Sequence, residues 1–294
     1  QEGKIALQDN VSVSEFAASM GGSQVFLEPN EQMSVHDLLK AVAVASGNDA
    51  AAALAEFTAG SHDAFVAKMN ERAKALGMND THFVNCNGLD ADGHLTSAHD
   101  IAVMSRELMR HPKIFEYTTI WMDSLRDGAF GLANTNKLVR FYQGATGLKT
   151  GSTSVALFCI SATAKRDGMD LIAVVMGSPT SKERFSDASK MLDYGFANYG
   201  ICNSLVKEDE LAPIQLKKGV KDTVSIGLTD GFSLLMKKAE IANLEKKIFL
   251  SSGVVYDDGY TKHTDSSGTV TETVRGGILS VPDGQTEGAK AIGM

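Results

Sequence analysis

The sequence predicts a mixed α/β (α+β) fold: an antiparallel sheet flanked by helices, followed by a small all-β domain. Three observations carry this. Residues 152–164 and 169–176 are apolar and β-branched, and Lys165-Arg166-Asp167-Gly168 between them supplies the Asp-Gly turn of a hairpin. Capped amphipathic helices precede that hairpin and another helix follows it. After Tyr199-Gly200 the texture changes to short strand-like runs punctuated by Asp-Gly and Ser-Gly.

Residues 5–30 hold short apolar pieces, such as Val11-Ser12-Val13 and Val25-Phe26-Leu27, between turn residues. Ser34 has the position of an N-cap, with Asp37 three residues on, and a helix over 35–45 follows. Its face is Val35, Leu38, Leu39, Val42 and Ala45. It breaks at Ser46-Gly47-Asn48, and an Ala-rich helix runs from Asp49 to about Ala59, ended by Gly60. Ser61 caps the next helix, with Phe65, Met69, Ala73 and Leu76 in register and Gly77 at its end. Thr81–Thr96 is polar and turn-rich. Ser97 caps a helix through Ile101, Met104 and Leu108, which His111-Pro112 stops. Residues 113–148 are mixed, with Asn134-Thr135-Asn136 in a loop. Residues 181–198 are helical, with Phe185, Met191, Leu192 and Phe196 on the apolar side. Beyond them Val224–Leu228, Phe232–Met236 and Ile248–Leu250 read as strands. The domains are therefore expected at 1–203 and 204–294.

The 294 residues are 43% hydrophobic, enough for one large or two ordinary domains. The formal net charge of −8 gives a nucleic-acid partner no electrostatic support. No apolar run approaches the ~20 residues of a membrane span. Cys86, Cys159 and Cys202 follow no metal spacing, and an odd count makes no disulfide framework. Cys159 alternates into the apolar face of its strand, as a small buried residue. Both ends read as cut. Gln1 opens the chain with no signal peptide, Gln1–Ile5 has the pattern of a helix tail at a Gly cap, and a β pattern beginning near Gly276 stops at Met294.

The stretch with most chemistry is Lys149-Thr150-Gly151, at the expected start of a core strand. A point cation, a hydroxyl and a residue without Cβ stand in a row. They suit an extended peptide ending in a carboxylate. Alone the triplet is weak, since chance yields one in such a chain on the order of a few per cent of the time, and a solvated loop lysine is the plain reading. Ser46-Gly47-Asn48 is weaker still, because Ser-x-Asn arises about once per chain of this size and suits an ordinary helix–helix turn. Together, in this order, the two say more.

Both lie within longer similarities: Gly22–Leu27, Leu38–Ala52, Asn87-Gly88-Leu89-Asp90, Asn134-Thr135-Asn136, Gly147–Gly151, Val175-Met176-Gly177 and Leu192–Phe196. In these the chain resembles the penicillin-binding protein 5 type of D-alanyl-D-alanine carboxypeptidase, over essentially its whole length. The resemblance implies a β-lactamase/transpeptidase-like domain and a serine peptidase, penicillin-sensitive, that removes the terminal D-alanine of peptidoglycan stem peptides through an acyl-serine. It implies no metal or other cofactor. It places the protein outside the cytoplasm, at the outer face of the bacterial membrane or in the cell wall, and leaves membrane contact only to a possible anchor outside this chain.

The family's motifs are Ser-x-x-Lys, Ser-x-Asn and Lys-Thr-Gly. The first, with nucleophile and base, is expected roughly 65 residues before the second by the family's pattern. Only 45 residues precede Ser46, so it falls before Gln1. The string Ser204-Leu205-Val206-Lys207 comes after Lys-Thr-Gly, in an extended stretch where residues three apart point to opposite faces. The resemblance assigns the remaining roles. Ser46 relays a proton, and Asn48 holds the substrate amide. Lys149 and Thr150 bind the terminal carboxylate beside Gly151, and the Ser152 N–H is half of an oxyanion hole. Arg184 matches a family arginine near that carboxylate, and reads equally well as a solvated helix residue. His36, His94 and His99 match no role and read as surface or capping residues. Two other readings stay open: a β-lactamase of the same fold, and a non-catalytic peptidoglycan-binding module.

Overall fold

The computed structural model describes residues 5–205, 232–241 and 243, with backbone at 214–215, 223–224, 262–264 and 270–272. The chain divides into two compact units, Gln1–Ala197 and Asn198–Met294.

The first unit opens with β1 (Asn10–Ser12) and a short α1 (Glu15–Ala18), and β2 (Gln32–Ser34) returns antiparallel to β1. The Ser34 hydroxyl accepts from the Asp37 N–H at 3.0 Å and starts α2 (Val35–Lys40), as its capping spacing predicts. The last turns of that helix, Ala41–Ala45, widen into a π-helix. Residues three apart line its buried side: Val35, Leu38, Ala41 and Val44. The expected Leu39, Val42 and Ala45 are only half-buried, because the buried row follows a period of three rather than the assumed 3.6. Helix α3 (Asn48–Ala59) packs against α1, α2 and β1. Its Ala50, Ala52, Ala53 and Ala55 are 0–1% exposed, and with so little side chain neighbouring elements pack close to its backbone.

Helix α4 (His62–Ala75) is capped by Ser61, and α5 (Ala98–Met109) by Ser97, as expected. Residues 113–148 are more ordered than their mixed composition suggests. They form α6 (Phe115–Thr118), the antiparallel pair β3 (Met122–Leu125) and β4 (Phe130–Ala133), and α7 (Leu138–Phe141). Arg126 and Asp127 turn that hairpin in the left-handed region, which the sequence did not suggest for an arginine.

The main sheet has the order β5-β6-β7: β5 (Ala145–Thr153), β6 (Leu157–Arg166) and β7 (Met169–Ser178). All pairs are antiparallel. Asp167 and Gly168 turn β6 into β7, both with positive φ, as the Asp-Gly signal predicts. The expected continuous strand over 152–164 is corrected. A turn at Ser154-Val155-Ala156 cuts it, so Lys149-Thr150-Gly151 lies inside one strand rather than at the entry to another. The turn uses no Gly or Pro. The Thr153 hydroxyl accepts from the Ala156 N–H at 2.8 Å, and Leu157 takes φ 55°.

Helices cover both faces. Ser105 of α5 hydrogen-bonds Ser161 of β6 at 2.7 Å on one face. On the other, Gly195 of α8 (Ser181–Asn198) lies so close to Leu171 of β7 that a Cβ would sit 2.5 Å from its methyl. The buried row of α8 is Arg184, Ala188, Leu192 and Phe196. Met191, expected inside, is 49% exposed, because the inward stripe includes a charged residue that an apolar count excludes.

In the second unit β8 (Tyr199–Leu205) pairs with β11 (Phe232–Lys237), after the short pair β9 (Ile214–Gln215) and β10 (Thr223–Val224). Helix α9 (Lys238–Ile241) follows, and β12 (Lys262–Thr264) pairs with β13 (Val270–Glu272). These antiparallel pairs agree with the β texture read from sequence. The expected strand at Ile248–Leu250 and both chain ends lie outside the described residues. Among the described residues no helix is long and apolar enough to cross a membrane.

Candidate active site

Helix geometry places Ser46. The π-helical end of the second helix leaves Ser46 in the left-handed region (φ 63°, ψ 35°), where a non-glycine residue costs roughly 1–2 kcal/mol. The bond from the Gly47 N–H to Ala41 O at 3.0 Å closes that helix end. Asn48 begins α3. Its N–H donates to Ser23 O at 2.8 Å and its Nδ2 to Gly21 O at 2.7 Å. The next residue, Asp49, was not singled out in the sequence, yet it is fully buried. Its carboxylate accepts from the N–H groups of Val25 and Leu27 at 3.0–3.2 Å and of Ala50 at 2.9 Å. Segment 21–27 is thereby fixed against the start of α3, which is what sets Asn48 in place.

The sheet supplies the opposite wall. The strand β5 is an edge of its sheet. Lys149 Nζ reaches across to Ser46 Oγ at 2.6 Å, joining residues 103 positions apart, and also donates to Thr150 O at 2.8 Å. The two motifs paired in the sequence therefore meet through their functional atoms. Burial first, and the Arg184 charge second, push the Lys149 ammonium down to about 8. A lysine so placed exchanges a proton near neutral pH more readily than a surface lysine.

Thr150 Oγ1 donates to Thr135 Oγ1 at 2.7 Å. Thr135 is a site residue that sequence reasoning passed over. Two asparagines hold it: Asn134 Oδ1 accepts from the Asn136 N–H, and Asn136 Oδ1 from the Leu138 N–H. The Thr135 N–H donates to Val44 O at 3.1 Å, tying the loop to the helix that carries Ser46. The Asn-Thr-Asn pattern was the available signal, since alternating Asx side chains make such turns. Gly151 and Ser152 are exposed at the end of the strand, and a Cβ on Gly151 would meet nothing within 4 Å. That is open space along an unpaired sheet edge.

Arg184 is not a solvated helix residue. It is 6% exposed, and its guanidinium donates to Gly151 O and Cys159 O at 3.1 Å and to Ser181 Oγ at 3.2 Å. It also stacks on Phe185, 4.6 Å from the ring centroid. Behind Gly151 it ties β5 to β6 and brings a second positive charge toward Lys149. Burial lowers its own affinity for the proton.

Other expectations fare unevenly. Cys159 is half-buried rather than buried, because the turn at 154–156 brings its thiol beside Ala156 O at 3.3 Å. Of the histidines, His36 bonds the Tyr117 hydroxyl and His94 Nδ1 accepts from the Val84 N–H. Ser204 lies on β8, in the second unit, and Lys207 lies outside the described residues. Among the described residues no group of three His, Cys, Asp or Glu could hold a metal.

Residues 1–180 match the sequence pattern of the peptidase family described as D-alanyl-D-alanine carboxypeptidase. The chain belongs to the D-alanyl-D-alanine carboxypeptidase family. It is 45% identical over 249 residues to the D-alanyl-D-alanine carboxypeptidase DacF of Bacillus subtilis, covering 84% of this chain and 64% of that protein. To DacA of Escherichia coli it is 34% identical over 241 residues, 80% of this chain and 59% of that one. The chain thus spans somewhat under two thirds of either relative. Among solved structures, penicillin-binding protein 5 from Haemophilus influenzae superposes with a TM-score of 0.71 at 31% identity, over 86% of this chain and 75% of that one. Penicillin-binding protein 6B from Escherichia coli gives 0.69 at 33%, over 85% and 74%. The fold is therefore the carboxypeptidase fold of these penicillin-binding proteins, as the resemblance implied.

Proposed function

We propose that this chain supplies the substrate-holding wall and proton relay of a serine-type D-Ala-D-Ala carboxypeptidase, acting on peptidoglycan stem peptides and acylated by β-lactams. The observation that carries the reading is the 2.6 Å contact between Lys149 Nζ and Ser46 Oγ. It puts a cation of lowered proton affinity on the hydroxyl that faces the sheet edge. In this reading a serine of the family's first motif, its proton passing to that motif's lysine, attacks the penultimate carbonyl, the bond to the terminal D-alanine breaks, and water then hydrolyses the acyl-serine. The Ser152 N–H, with the nucleophile's own N–H, stabilises the oxyanion. Lys149 and Thr150 hold the terminal carboxylate, and Thr135 orients the Thr150 hydroxyl. Ser46 passes a proton to the leaving D-alanine amine, its own proton being replaced from Lys149. Asn48 holds the substrate amide, while Arg184 adds positive potential from behind Gly151.

The relatives favour the carboxypeptidase over the β-lactamase reading. A peptidoglycan substrate supports action outside the cytoplasm, at the cell wall, with a secreted enzyme that contributes to cell shape. We take residues 1–203 as the peptidase domain and 204–294 as a β-rich companion. The test is penicillin acylation by the full-length protein with Lys149→Ala. Loss of a charge-assisted contact in an enclosed site should cost about 2–4 kcal/mol of transition-state stabilisation. An acylation rate within threefold of the parent would reject the assignment.

A further inference from the structure

Asp90 stands where two walls of the site come together, and none of the roles above uses it. The turn before it is rigid: Asn85 Oδ1 accepts from the Gly88 N–H at 2.7 Å, and Asn85 Nδ2 donates to Leu89 O at 2.8 Å. Leu89 packs beside Asn48. A Cβ on Gly22 would lie 2.7 Å from Asn48 Nδ2 and 3.6 Å from a Leu89 methyl, so all three share one spot. On the other side the Ser154 hydroxyl donates to Asp90 Oδ2 at 3.3 Å. Ser154 opens the turn that ends β5, two residues beyond Ser152. The pair Leu89-Asp90 thus runs from the Asn48 side of the site, where Leu89 packs, to the end of the sheet edge, where the exposed Asp90 carboxylate meets Ser154.

The order of contacts along β5 says what lies there. The terminal carboxylate is assigned to Lys149 and Thr150 and the scissile carbonyl to Ser152. Residues upstream of the scissile bond therefore continue past Thr153. The residue preceding the two D-alanines falls about one strand spacing farther, ~3.4 Å, level with Thr153 and Ser154. An amine on a flexible aliphatic stem at that position reaches Asp90.

We propose that Asp90, positioned by Ser154, is a specificity residue that recognises a cationic side-chain amine on the stem-peptide residue preceding the two D-alanines. This rests on the carboxypeptidase reading. The test uses the full-length protein and two peptides ending in D-Ala-D-Ala, identical except that the preceding residue's side-chain amine is free in one and acetylated in the other. Asp90→Asn keeps a hydrogen-bond acceptor for Ser154 but removes the charge. It should lower kcat/KM about threefold to fivefold on the free-amine peptide, mainly through KM, the range of an exposed ion pair. On the acetylated peptide it should change kcat/KM less than twofold. Raising salt should shrink the parent's preference for the free amine, and leave Asp90→Asn unaffected. Equal losses on both peptides would make Asp90 merely structural and overturn the proposal, as would an unchanged preference. If the parent releases D-alanine from neither peptide, the carboxypeptidase reading fails, and this inference fails with it.

Discussion

Lys149 should titrate near pH 8. The perturbation is pH alone. In the fold the ammonium is driven down to about 8 from an ordinary 10.5, chiefly by burial and secondarily by Arg184. Between those values the unfolded chain binds a proton that the folded chain does not, so stability rises with pH across the window from about 8 to 10.5. Below about 8 both states are protonated and the penalty is constant. A drop from 10.5 to about 8 corresponds to about 3 kcal/mol at most, and to less here because part of the Lys149 side chain still reaches solvent. The same titration governs ligand binding. At pH 7 about nine-tenths of the side chain is charged and at pH 9 about one-tenth, so affinity for a carboxylate-terminated peptide should fall several-fold between them. A bound carboxylate favours the charged form and moves the midpoint up. The assay is NMR of lysines labelled at the ε-carbon, assigned with Lys149→Arg, in the free and peptide-bound protein. A free-state midpoint at or above 10 would refute the enclosure on which the proton relay depends.

Three further outcomes test neighbouring parts of the account. Gly151→Ala should fold with unchanged stability, since its Cβ meets nothing within 4 Å, yet should weaken binding of a D-Ala-D-Ala peptide about tenfold by obstructing the strand edge; equal affinity by calorimetry would show that no backbone lies there. Gly22→Ala, with φ +80° and a Cβ 2.7 Å from Asn48 Nδ2, should cost about 1–3 kcal/mol in thermal unfolding and shift the Asn48 side-chain amide in NMR spectra; an unmoved amide signal would contradict the packing. The 294-residue chain alone should form no covalent adduct with labelled penicillin by intact-mass spectrometry, because its Ser-x-x-Lys string at 204–207 follows Lys-Thr-Gly instead of preceding it; an adduct on Ser204 would revive that string, and one on Ser46 would make the relay a nucleophile.

Much of this was legible in the sequence because local chemistry and tertiary need coincide. The serine caps at positions 34, 61 and 97 act through their nearest N–H groups, and Asp167-Gly168 turns on its own φ preferences. The pairing of Ser46 with Lys149 was implied by the family resemblance, which rests on the order and spacing of several motifs. What stayed hidden depends on partners distant in sequence. Asp49 looks like any first-turn acid until Val25 and Leu27 come to it. Arg184 looks solvated until the carbonyls of Gly151 and Cys159 cover it. Thr135 gains its meaning only from Thr150. The turn at 154–156 was missed because a threonine hydroxyl and a left-handed leucine replaced the expected glycine.

The most direct test of the central claim is D-alanine release from a stem peptide by the full-length protein, compared with Ser46→Ala and Lys149→Ala. Metal-independent release by the parent is expected, falling at least about a hundredfold in each variant. The double variant should be little worse than Lys149→Ala alone, because Ser46 acts through Lys149 across their 2.6 Å contact, whereas Lys149 also holds the carboxylate. Release that survives both substitutions, or losses that simply multiply, would contradict the account.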